Sequence, residues 1–220
     1  MCGIIGNFNK KKLDSDKKKK LINFINLLKC RGPDNSDYYF DDNNFLGHTR
    51  LSIIDLSANS NQPIISKCKR FIMSFNGEIY NFKKLASLLS DNEIINSSDT
   101  NLLVELISKF GVEFTLKKIQ GMYSISIFDK KNNFLYLARD FFGKKPLYYF
   151  HNNEQIFFSS TLLPIIKNSE IKKEIDPKSL SYYFSYGFCP TEESIFRDIK
   201  KLKPNSYLKL DLRVSNLSED

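Results

Sequence analysis

The spacing of apolar residues changes several times along the chain, and each change predicts an element. Cys2 to Phe8 (CGIIGNF) is a short apolar run broken by two glycines, which predicts a buried strand at the amino end. After Lys10-Lys11-Lys12, residues Leu21, Phe24, Ile25 and Leu28 recur at helical spacing behind the capping residues Asp14, Ser15 and Asp16, until Gly32-Pro33 stops the pattern. Lys17 to Lys20 fall on the solvated first turns of that helix, although cations there oppose its dipole. Strand-like runs follow at Phe45 to Ile54 and Phe71 to Asn76. Helical patterns then carry Leu85, Leu88 and Leu89, and Leu103, Leu106, Ile107 and Phe110. From Gly121 the period drops to two: Tyr123, Ile125 and Ile127 alternate with Ser124, Ser126 and Phe128. Further strands at Phe134 to Ala138, Leu147 to Phe150 and Gln155 to Ser159 make an antiparallel meander. Asp176-Pro177 opens a last helix through Leu180, Tyr183 and Phe184 that Gly187 ends, and Tyr207 to Leu212 predicts one more strand. With no internal repeat and no Gly/Ser linker, one domain is the simplest division. Sheet-forming runs separated by helical pairs imply a layered α+β sandwich.

Composition narrows the function classes. At 220 residues the chain can bury roughly 70% of its unfolded surface, which excludes a disulfide-stapled miniature. Its 41% hydrophobic and 26% charged residues exclude a disordered one. No apolar stretch approaches the ~18 residues of a membrane span, and the polar segment after Phe8 is the reverse of a secretory signal, so a cytoplasmic protein is expected. Cys2, Cys30, Cys68 and Cys189 match neither a zinc spacing nor a secreted framework, which makes reduced thiols the expectation. The net charge of +8 comes from Lys rather than from the fork-headed Arg favoured in phosphate and base contacts, so no nucleic-acid partner is expected. His48 and His151, the only histidines, are too isolated for a metal site or a Ser-His-Asp arrangement, and no glycine-rich phosphate loop occurs.

Three placements could carry chemistry. Cys2 stands directly behind the initiator methionine. Removal of Met1 would leave a thiol (reference pKa about 8.5) and a free α-amine (about 7.7–8.0) on one residue, able to pass a proton near neutral pH; the plain alternative is a small hydrophobe that falls second. Phe75 to Phe82 (FNGEIYNF) sets the Asn76 amide beside the Gly77 N–H, two donors for a developing oxyanion, yet Asn-Gly is also the strongest hairpin-turn dipeptide. In Gly47 to Leu56 (GHTRLSIIDL), Arg50 could grip a carboxylate with two parallel hydrogen bonds. Glu78 or Asp99 could then meet an ammonium group, against the alternatives of a surface charge and a helix N-cap.

Taken together and in order, MCGIIGNF, RGPDNSD, GHTRLSIIDLS with Gln62-Pro63, FNGEIYNF, SSDTN, GMYSISIFD and RDFFGKKPLYY resemble the class II glutamine amidotransferases, and in particular the amino-terminal glutaminase domain of glutamine-hydrolysing asparagine synthetases. The resemblance implies an amino-terminal-nucleophile fold, a four-layer αββα sandwich of antiparallel sheets. It implies that Cys2, freed of Met1, attacks the side-chain amide of glutamine, and that Asn76 and Gly77 form the oxyanion hole. Arg50 and the backbone of Leu51, Ser52, Ile53 and Ile54 would hold the substrate's α-carboxylate, while Glu78 and Asp99 would meet its α-amine. Glutaminase residues would span 1–210, with 211–220 beginning a linker to a carboxyl-terminal synthetase domain that this chain lacks. ATP and Mg²⁺ would belong to that absent domain, with no cofactor in this chain, and a homodimer is left open. Cys30 stands where the family usually has His. Two other functions remain in view: a glutaminase serving another acceptor in surface-polymer synthesis, and an inactive glutamine-binding or regulatory module.

Overall fold

The computed structural model describes all residues except 54–56, 58–59, 90–97, 191, 215 and 220. Apolar residues on both faces of the central strands need cover on both faces, and two stacked sheets between helical layers provide it. Among the described residues one six-stranded sheet has the order β10 (Ile199–Lys201), β8 (Tyr148–His151), β9 (Gln155–Ser159), β1 (Gly3–Asn9), β3 (Asn44–Arg50), β2 (Asn35–Phe40). The other runs β12 (Asn216–Glu219), β11 (Ser206–Asp211), β7 (Phe134–Arg139), β6 (Gly121–Asp129), β5 (Phe71–Ile79), β4 (Ile64–Ile65). Their ladders are antiparallel.

Three buried clusters separate four layers. Between the sheets lie Ile4, Phe8, Leu46, Ile156 and Phe158 from the first, against Ile72, Phe128, Leu135, Leu137, Leu208 and Leu210 from the second. Each such side chain contributes about 1.5–3 kcal/mol by leaving water, so this layer holds the sheets together. Helices α1 (Ser15–Asn26) and α5 (Leu162–Lys167) cover the outer face of the first sheet through Leu21, Phe24, Ile25 and Ile165. Helices α2 (Phe82–Ala86), α3 (Asp99–Phe110) and α4 (Val112–Lys118) cover the second through Leu85, Leu102, Leu103, Leu106, Ile107 and Val112. The expected four-layer αββα sandwich is therefore the observed architecture. Helix α6 (Pro177–Tyr186) is capped by Asp176, whose carboxylate accepts the Ser179 N–H, and Gly187 at φ 76° ends it in the left-handed region. No helix among the described residues is long and apolar enough to cross a membrane.

Several boundaries differ from the periodicity. Helix α1 stops at Asn26, short of Gly32; the chain goes on in tight turns, with Leu28 N–H bonded to Ile25 C=O and Arg31 N–H to Leu28 C=O, which brings Arg31 back to the amino end. Strand β3 ends at Arg50, not Ile54, because the next N–H groups bond elsewhere: Leu51 N–H donates to Cys2 Sγ and Ser52 N–H to the Asp34 carboxylate. Strand β5 runs past Asn76 to Ile79. Asn76 and Gly77 pair with Ser124 and Tyr123 of β6 in mid-strand, which overturns the hairpin-turn alternative. The N-cap of α3 is Ser98, and Asp99 is the first helical residue. The short elements β2, β4, α4, α5, β10 and β12 were not expected from the pattern. Of these, β12 pairs with β11 inside the stretch expected to start a linker.

Candidate active site

Alternation along three strands builds the site. Ile4 on β1, Leu46 on β3 and Ile72 on β5 face the gap between the sheets, so Cys2 before Ile4, His48 and Arg50 after Leu46, and Ser74, Asn76 and Glu78 after Ile72 follow the same faces. One end of the intersheet layer is consequently polar. A cavity of about 120 Å³ opens there, lined by Cys2, Arg50, Leu51, Ser52, Ile53, Asn76, Gly77, Glu78 and Asp99, with Met1, Gln62, Phe75, Met122 and Lys145 among the other walls. Ile54 lies outside the described residues.

The Cys2 sulfur sits 3.4 Å from the Leu51 N–H that donates to it, and the Cys2 thiol reaches the Leu51 C=O at 3.7 Å. Arg31 Nε donates to the Cys2 C=O at 2.9 Å, pinning the backbone that carries the thiol. Asn76 is 1% exposed, and its Nδ2 has no hydrogen-bond partner among the described residues; a buried amide donor aimed at nothing is the expected state of a group reserved for a ligand. Gly77 has no room for a side chain, since a Cβ there would lie 2.2 Å from the Met122 C=O and 2.7 Å from Tyr123 Cα, both backbone atoms. Arg50 is anchored through Nη1 to the Ser57 C=O (2.7 Å) and Asn61 Oδ1 (2.8 Å), which presents its guanidinium at the cavity wall.

Charges around the cavity are perturbed by burial. Asp99 accepts the Ile79 N–H at 3.1 Å; burial, with some repulsion from Glu78, raises its carboxyl above the usual range despite that bond. Burial, then the guanidinium of Arg31 and the ammonium of Lys145, lower the α-amine of Met1 against the opposing pull of Cys2. Lys145, itself 8% exposed, is lowered chiefly by burial and then by Arg31. The amino end thus lies in a desolvated, cationic setting that favours a neutral amine.

Arg31, Lys145, Gln62 and His48 also reach the site, although the chemistry of the separate motifs does not single them out. Arg31 opens RGPD and Lys145 closes GKK; a basic residue flanked by glycine or proline in a turn was the available signal, and it is a weak one. His48 was set aside as isolated, yet it is fully buried, and burial lowers its pKa to about 4.

The glutamine amidotransferase domain model matches residues 1–218. The chain belongs to the glutamine amidotransferase family. The chain is 35% identical over 211 residues to the glutamine-hydrolyzing asparagine synthetase 1 of Bacillus subtilis, a match covering 94% of this chain and 33% of that protein. It is 32% identical over 176 residues to the glutamine-hydrolyzing asparagine synthetase B of Escherichia coli, covering 79% of this chain and 31% of the other. The chain thus spans about a third of the length of these curated relatives. Among solved structures, a glutamine phosphoribosylpyrophosphate amidotransferase from B. subtilis superposes over 100% of this chain and 49% of its own, at TM-score 0.68 and 15% identity, and bears on the fold alone. The layered sandwich is the fold that the two share.

Proposed function

We propose that this chain is the glutaminase part of an asparagine-forming amidotransferase, with Cys2 as nucleophile. The observation that carries it is the convergence of the Cys2 sulfur, the unpartnered Asn76 amide and the buried Asp99 on one cavity between the sheets. After removal of Met1, the α-amine takes the thiol proton, and the sulfur attacks the side-chain carbonyl carbon of glutamine. Asn76 Nδ2 and the Gly77 N–H receive the oxyanion. Collapse breaks the C–N bond; the amine returns its proton to the leaving nitrogen, and ammonia departs. Water then cleaves the γ-glutamyl thioester, releasing glutamate and restoring the thiol. Arg50 and the backbone from Leu51 to Ile54 take the α-carboxylate, and Glu78 and Asp99 the α-ammonium, so the substrate spans the cavity with its amide at Cys2.

The asparagine-synthetase relatives support an acceptor reaction in which the ammonia amidates aspartate, carried out by a carboxyl-terminal synthetase part. ATP and Mg²⁺ belong to that part, and no residue of this chain is assigned to them. On this reading residues 1–210 hold the whole glutaminase chemistry and 211–220 lead toward the synthetase. The reading also places the chain in the cytoplasm, in keeping with a cysteine spacing that matches no secreted disulfide framework.

The test is glutamine turnover by protein whose intact mass shows Met1 removed. Equal amounts of glutamate and ammonia are expected, with an acid-quenched sample heavier by one γ-glutamyl group; processed protein that binds glutamine without releasing glutamate would refute hydrolysis. The raised Asp99 carboxyl adds a pH signature. Acid neutralises Asp99 and removes its attraction for the ammonium, so KM for glutamine should climb as pH falls, starting above the usual carboxylate range, separately from the fall in kcat that protonation of the α-amine base brings. Asp99→Asn should raise KM by about 10- to 100-fold at neutral pH and erase that acid limb. A KM that is flat in the wild-type protein across the same range would count against Asp99 as the ammonium's partner.

A further inference from the structure

We propose that His48 and Gln62 are positioning residues for the oxyanion donors, clamping the peptide between Phe75 and Asn76 so that the Asn76 amide and the Gly77 N–H point at the reacting carbon. The proposal takes Asn76 and Gly77 as those donors, as read above. Gln62 Oε1 accepts the Phe75 N–H at 2.6 Å, and Gln62 Nε2 donates to the Phe75 C=O at 3.1 Å. His48 Nε2 meets the same carbonyl at 3.2 Å. A carbonyl oxygen only accepts, so this nitrogen carries the imidazole proton and donates it. The three residues are 2% (Phe75), 5% (Gln62) and 0% (His48) exposed, so water offers no substitute for any of these bonds.

The two clamps come from different directions. Strand β4 pairs Ile64 with Met73 and Ile65 with Ile72, and stops short of Phe75. The Gln62 carboxamide presents one acceptor and one donor in place of the missing ladder partner. His48 reaches across from β3, in the opposite sheet, and ties the strand that carries Asn76 to the sheet that carries Cys2. Phe75 C=O belongs to the peptide unit whose nitrogen is that of Asn76, so rotation of this plane would swing the Asn76 side chain and the next N–H together. The clamped peptide thereby fixes nucleophile and donors relative to each other. A misplacement of about 1 Å at such a site costs on the order of 100-fold in rate. Burial, reinforced by Arg50 two residues along, keeps His48 neutral, the form this geometry needs.

The variants His48→Gln, His48→Asn and Gln62→Glu separate donor geometry from packing. Glutamine reaches the Nε2 position with an N–H, whereas asparagine falls short of it. Glutamate at 62 keeps the acceptor for the Phe75 N–H but turns a second oxygen toward the Phe75 carbonyl. Each variant is assayed for glutamine turnover, for inhibition by the analogue bearing an aldehyde in place of the carboxamide, and for alkylation of Cys2 by iodoacetamide, which forms no oxyanion in this site. His48→Asn and Gln62→Glu should lose about 10- to 100-fold in kcat with little change in KM, and the same factor in aldehyde affinity, with alkylation unchanged; His48→Gln should restore turnover toward that of the wild-type protein. Equal behaviour of the two His48 variants, full activity in Gln62→Glu, or alkylation falling in step with kcat would overturn the proposal. If His48→Asn does not fold, Gln62→Glu and His48→Gln decide by the same readouts. Wild-type protein without turnover would overturn both this proposal and the glutaminase reading, whereas wild-type turnover with unaffected variants counts against His48 and Gln62 alone.

Discussion

Cys2→Ala is expected to lower glutamate release from glutamine by on the order of 10⁴-fold or more while glutamine still binds. The sulfur is held at this cavity by both a backbone donor and a pinned carbonyl, with Leu51 N–H at 3.4 Å and Arg31 Nε on the Cys2 C=O at 2.9 Å. Cys30 and Cys68 are exposed, and neither they nor Cys189 line the cavity, so no other thiol can take over. Arg50, Glu78 and Asp99, the residues proposed to bind the α-carboxylate and α-ammonium, are untouched by the change, which is why affinity should survive. Cys2→Ser should also lose activity, because a hydroxyl gives up its proton less readily than a thiol and is the weaker nucleophile at neutral pH. Glutamate release measured beside glutamine binding by calorimetry checks both halves; turnover retained in Cys2→Ala would mean that another group attacks.

Asn76→Ala should lower kcat by about 10²- to 10³-fold, the loss typical of removing one oxyanion donor, with KM little changed. The effect on stability should have the opposite sign from that of an ordinary core truncation. Asn76 Nδ2 is buried and unpartnered among the described residues, and an unmet buried donor costs about 1–3 kcal/mol. Alanine abolishes that cost along with the amide, so the unfolding free energy should stay level or rise, whereas a cavity alone would lower it. Thermal or denaturant unfolding set beside steady-state kinetics distinguishes the cases. Activity and stability falling together would make Asn76 a structural residue of β5. The contrast is the familiar one between a stable fold and a working site: the unpaired amide is a debt that only the transition state settles.

The layering and most strand and helix positions were legible because period-two and period-3.6 patterns report which residues need cover. The meander from Gly121 to Ser159 is nearly as the alternation implied. Boundaries failed where a backbone N–H finds a partner far along the chain. Periodicity carried β3 on to Ile54, but Leu51 N–H goes to a sulfur 49 positions away. The dipeptide Asn76-Gly77 illustrates the same limit from the other side. Its local chemistry suits a hairpin turn and a strand equally, and pairing with Ser124 and Tyr123 decided for the strand. Cys2, Arg50, Asn76 and Asp99 could be named in advance because their residue types carry distinctive chemistry in an ordered set of motifs.

Residue type and spacing were enough for the layered sandwich and the chemical inventory, and the ordered motifs pointed to the family by resemblance, since each depends on short-range preferences or on motif order. The fold alone brought that inventory to one cavity, recruited Arg31 and Lys145 to the amino end, and set His48 and Gln62 on the Phe75 peptide. Alternation says which way a side chain points from its own strand. It carries no information about the strand that lies opposite, and that pairing is settled by which faces the two sheets bury against each other.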